Sequence, residues 1–329
     1  MSGVTITAGW SFSGGITITE APAAPQENTA AWFAGNATPA GRSSVDRITY
    51  ATDTATASVR GPLSGGKYNL AAASNYTYGW FAMGTWPAPS YPEPSSSVDR
   101  ITYATDTNTA SVRGPGGGAR TNIAAAGNTT DAWFGGGKAP TGQPFQQLPV
   151  SSVNRITYAT DTATASVSGP LSLARQSLAA AGNTTDGWFG GGYVTPAARS
   201  TVDRITYATD TATASVRGPL SLARQSLAAA GNTTDGWFGG GQFSGSIVDR
   251  ITYATDTATA SVRGPLSLAR SQFSAAGNTT DGWFGGGQAP AGPTSIVDRI
   301  TYATDTATAS VRGPLSLTRL NTGAAGGTQ

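Results

Sequence analysis

Three glutamates and fifteen aspartates, with no histidine and no cysteine, are the acid–base inventory of this 329-residue chain. Without imidazole or thiol, thiolate catalysis, disulfides, Cys/His zinc sites and histidine acid–base chemistry are all excluded. Carboxylate chemistry remains. A glycosidase needs two placed carboxylates in different environments. Of Glu20, Glu27 and Glu93, only Glu93 lies within the repeated part of the chain, and its partner would have to be a repeated Asp. Every Asp recurs: Asp46 beside Arg47, Asp53, and Asp186 with Asp131, Asp235 and Asp281 each belong to a copied set. Residues copied into every unit are expected to be structural, as an Asp in a tight turn caps its own backbone. The alternative is a ring of equivalent sites for a repetitive glycan, or turn carboxylates holding calcium. Calcium takes six to eight oxygens, and no D-x-D-x-D run supplies them. No metal and no cofactor are expected.

The second candidate chemistry is recognition. "MGTWPAPSYPEPSSS" carries Trp86, Tyr91 and Glu93, and "KAPTGQPFQQLPVSS" carries Phe145. Exposed aromatics on loops held by a rigid scaffold bind sugar rings or protein partners. Pro87, Pro89, Pro92 and Pro94 stiffen the first loop and reduce the entropy lost on binding. Lys67 and Tyr68 join this candidate set. The competing reading is that such loops are tolerated insertions packed on their own scaffold. Tyr76 and Tyr78 decorate another, otherwise constant turn.

What must position these residues is a repeat. "DRITYATDT", once as "NRITYATDT", recurs with its first residue at Asp46, Asp99, Asn154, Asp203, Asp249 and Asp298. A Trp-Phe pair recurs at Trp32, Trp80, Trp133, Trp188, Trp237 and Trp283. Each unit predicts four strands, here called a to d: "LAAAG", "GWFGGG", "VDRITYA" and "TASVRG", with turns "GNTTDG" and "TDTAT". No apolar period near 3.6 suggests a helix. Four short strands in about 50 residues make a propeller blade. Small Ala and Gly suit a crowded axis, and Ile48 with Tyr50 should pack on the adjacent blade against the Trp-Phe pair. The first copy lacks strand a, while "LNTGAAGGTQ" at 320–329 is an orphan strand a. The last strand should therefore close the first blade, giving a ring of six. A linear stack is the alternative. In such a blade the b–c and d–a connections share one face. These are the variable stretches, so one face is diversified and the other uniform.

"WFGGG", a variable loop such as "QFSGSI", and then "VDRITYATDT" resemble the order of features in kelch repeats over residues 29–329. The resemblance departs where kelch units carry a Trp six residues after the Tyr; this chain has Thr56, Thr109 and Thr164 there. The copper oxidase chemistry known on kelch-like propellers is excluded by the missing His and Cys. The near-identical Thr/Ala/Ser-rich copies also resemble kelch-like virion proteins of marine tailed phages. That resemblance implies a fibre, adhesin or decoration component in an extracellular particle.

Residues 1–28 stand outside the repeat. "VTITAGWSFSGGITIT" alternates around a glycine centre like paired strands, with Ile6, Trp10, Phe12, Ile16 and Ile18 as its apolar set, and "EAPAAPQEN" reads as a linker. A lone hairpin is marginal in water, so this arm is expected to pair with another virion protein, with a second copy of the chain or with the propeller's own flank. It has no secretory signal pattern. Net charge is +2, which predicts no nucleic-acid partner, and no apolar run of membrane-spanning length occurs. The reading is a non-enzymatic, all-β, six-bladed propeller that presents one face to a glycan or protein receptor. A free carbohydrate-binding lectin with repeated sites is the alternative, and a glycoside hydrolase a third.

Overall fold

The computed structural model describes residues 28–36, 41–87, 92–143, 146–242 and 245–326. They form six four-stranded antiparallel sheets around a common axis. In the fifth blade strand a is Ala228–Gly231, b is Asp235–Gly239, c is Val248–Thr252 and d is Ser261–Arg263. The other blades repeat this order from the axis outward. Each inner strand touches those of both neighbouring blades, and the cycle closes through Gly323–Ala325. That C-terminal strand pairs with Ala30–Ala34, in the register Trp32 to Ala325 and Ala34 to Gly323. The first blade is thus completed from the far end of the chain, as its missing strand a predicts.

The core lies between blades. Strand alternation sends the Trp and Phe of strand b to opposite sides. Trp237 then meets Phe284 and Tyr302 of the next blade in one buried cluster. All six interfaces share this composition, and in each a Tyr stacks on the preceding blade's Trp at 3.7–3.9 Å between ring centroids. Such a stack adds about 0.5–1.5 kcal/mol beyond the area it buries.

Two local expectations change. Strand c ends at the Thr, and Tyr50–Thr52 and its equivalents form a single 3₁₀ turn. That turn swings the ring out of the strand plane onto the neighbouring indole while Ile48 keeps the same interface. Second, four of the six b–c connections fold into two-stranded ribbons, such as Thr85–Trp86 with Glu93–Pro94.

Candidate functional site

The aspartates fall into three sets, all engaged. The first sits in strand c and is buried. Asp249 accepts from Arg224 Nη2 at 2.6 Å and from the Ser221 N–H and hydroxyl, tying the entering d–a connection to its own blade. The second sits in the c–d turn and bridges blades. Asp305 accepts from Trp237 Nε1 at 2.8 Å and pairs with Arg250 and Arg263 of the preceding blade. The third sits in the a–b turn: Asp235 accepts from Thr234 and Thr252. Here the expectation that the Asp caps its own turn is corrected. Asn232 does the capping, its side-chain oxygen accepting from the N–H groups of Thr234 and Asp235.

Blade three breaks the first set. Asn154 replaces the Asp and Gly117 replaces the Ser, so Arg120 has Asn154 Oδ1 and the carbonyls of Phe134, Gly136 and Ser152 but no carboxylate. Burial pushes its guanidinium down to about 10. The Leu of that stretch is also lost, to Gly116. Met83, in left-handed backbone at φ +60°, fills the space a side chain at Gly116 would need.

The structure gathers four of the six predicted contact residues in blade two. Trp86 lies across the ribbon from Glu93, Tyr68 pairs with Thr85, and the Lys67 ammonium lies 5.9 Å from the Trp86 ring centre. Glu93 is exposed; Trp86 and Tyr68 are half-buried. Lys67 requires a correction: it is wholly buried, its ammonium 2.9 Å from Asp99. Lys67 takes the place of the arginine in the first carboxylate set, and no face of it is left for a ligand. Trp86 also packs against Gly65, which gives the insertion reading its due. Tyr91, Phe145 and the arm residues Ile6, Trp10, Phe12, Ile16 and Ile18 lie outside the described residues. Tyr78 replaces the a–b turn Asp, and its ring receives the Arg100 guanidinium at 4.2 Å, where blades three to six form an ion pair.

One feature escaped the sequence reading. Asn69, Asn122, Ser177, Ser226, Gln272 and Asn321, one just ahead of each inner strand, all adopt φ of +55° to +60°. Each N–H donates to the carbonyl of the preceding member at 2.7–3.0 Å, closing a ring of six hydrogen bonds around the axis. The ring stands on the diversified face and lines a cavity of about 60 Å³. Beneath it the inner strands enclose further space of about 90 Å³ walled by alanines. The sequence shows only a polar residue, Asn, Ser or Gln, at this repeat position; nothing local announces its dihedral.

No helix among the described residues is long and apolar enough to cross a membrane. No protein-family model matches the chain, and no curated protein matches it.

Proposed function

We propose that the chain is a non-enzymatic display propeller, a divergent kelch-like module that serves as a virion fibre, adhesin or decoration component. In this reading it is mounted through residues 1–28 and meets its receptor or partner through the diversified face. The observation that carries the proposal is the opposition of two faces. Asn28, the first described residue, donates to the Asn75 carbonyl in an a–b turn, and Gly326 donates to Ser74 beside it. The described chain therefore begins on the uniform face, with the variable loops on the other side. A second support is that all fifteen Asp carboxylates are spent on internal Arg, Lys, Trp, Ser or Thr partners, leaving Glu93 as the one carboxylate on the display side among the described residues.

The test is co-purification. Removing residues 1–27 should abolish incorporation into the particle or complex from which the protein is isolated. Trp86→Ala with Glu93→Gln should leave incorporation intact and weaken attachment to the receptor surface. Incorporation without the arm would sink the mounting half. Release of reducing sugar from a host polysaccharide, lost on Glu93→Gln, would replace the binder with a glycosidase.

A further inference from the structure

The ring around the axis is held in a left-handed backbone conformation that glycine adopts freely, that asparagine tolerates and that serine and glutamine disfavour. This chain has 44 glycines and uses sixteen of the described ones at positive φ. At the ring it uses none. The only other non-glycine residue at positive φ among those described is Met83, whose side chain has a packing role. Ser177, Ser226 and Gln272 gain nothing locally that a glycine would not give the backbone. Their side chains are retained at a cost, and the strained positions converge on one cavity.

We infer that this axial mouth is a binding site for an uncharged, hydroxyl-rich group, the terminal residue of a neutral glycan presented end-on. The inference rests on the diversified face being the display surface, and it names the ligand class for that face. Amides and hydroxyls both donate and accept, as sugar hydroxyls do. No charged residue lines the mouth or the alanine-walled space beneath it. A cation would find no carboxylate to offset its desolvation. The cations two residues upstream are spent: Arg175, Arg224, Arg270, Arg319 and Lys67 on carboxylates, Arg120 on carbonyls. The ring is also uneven. Ser177 and Ser226 are adjacent and short, whereas the remaining members carry longer amides. The rim is therefore lower over blades four and five, so a single asymmetric ligand is favoured over six equivalent ones. The cavity admits one edge or hydroxymethyl group of a sugar, and the rest of the ring lies against the loops.

The test uses the full chain, labelled for observation of the side-chain amides of Asn69, Asn122, Gln272 and Asn321. It is titrated with the methyl glycosides of glucose, galactose and mannose and with N-acetylglucosamine, each to about 100 mM, the range suited to millimolar affinity. Sodium chloride and N-acetylneuraminate serve as charged controls. At least one neutral sugar should shift the ring amides. Replacing all six ring residues with glycine, which suits their backbone, should weaken that binding at least about tenfold. Trp86→Ala should leave the ring shifts in place. If the sixfold variant does not fold, Gln272→Gly and Asn321→Gly singly carry the same test. No ring shift with any neutral sugar, or a preference for the charged controls, overturns the inference. Binding that survives the glycine variants but vanishes with Trp86→Ala overturns the axial site while leaving the display face standing. Failure of the arm deletion experiment sinks the mounting half alone and leaves this inference standing.

Discussion

At the residue scale the repeat is a wiring scheme for buried charge. A buried ion pair is a weak source of stability, but removing one partner strands the other. Asp249→Asn leaves Arg224 without its carboxylate, and one amide oxygen cannot replace two against both Arg224 and Ser221. The expected loss is about 3 kcal/mol in urea unfolding; a change below about 0.5 kcal/mol would show that the pair is idle. Blade three tolerates Asn154 because its serine partner has gone as well. The stacked tyrosines give a pH prediction. Burial raises the Tyr302 phenol well above its ordinary value of 10.0. The folded state keeps the proton where the unfolded chain loses it, so this contribution is complete below pH 10 and falls as pH rises through that value. Tyr302→Phe removes it. Among the described residues the Tyr302 hydroxyl has no hydrogen-bond partner, so the variant should match the parent at pH 8. Above pH 10 it should gain on the parent by about 1.4 kcal/mol per pH unit. Parallel stability curves would refute this.

At the scale of elements, the four strands were readable because alternation, glycine and turn residues agree on their bounds. The 3₁₀ turn after strand c was not. Its sequence, "YAT", is unremarkable in isolation, and the conformation is selected by the indole waiting on the next blade. The covariation of Met83 with Gly116 was hidden for the same reason: the two are 33 positions apart and meet only across a blade boundary. The outer strands are three residues long, with one exposed Val in each, and such short edges limit unwanted strand pairing. The inner closing strand is the element on which the ring depends. Removing residues 322–329 uncovers the edge of Ala30–Ala34 and deletes the Tyr50 hydroxyl's 2.6 Å bond to the Gly326 carbonyl. The melting temperature should fall by at least about 10 °C, with dimers or larger species in size-exclusion chromatography. An unchanged monomer would contradict ring closure by this strand.

At the scale of the whole molecule, symmetry separates structure from display. Six near-identical interfaces make a disc, and most of the variable connections collect on the face opposite the a–b turn that Asn28 meets. Described contacts of the first blade begin at Asn28. Removing residues 1–27 should therefore shift the melting temperature by less than about 2 °C. A drop of about 10 °C would make the arm part of the propeller's own packing.

Read alone, the residues determined the number of blades, the strand order, the closing strand and the split into a variable and a constant face. All four follow from periodicity, which is a property of the chain as written. They also identified Trp86 and Glu93 as neighbours on one loop, while misplacing Lys67 at the surface. Whether a cation is exposed depends on what the fold brings to it, and Asp99 reaches Lys67 only through the blade's own crossing connection. The axial ring was decided by tertiary structure for the same reason. Five of its hydrogen bonds join residues about 50 positions apart and the sixth joins Asn69 to Asn321 at the two ends of the ring, and at Ser177, Ser226 and Gln272 its left-handed backbone runs against local preference.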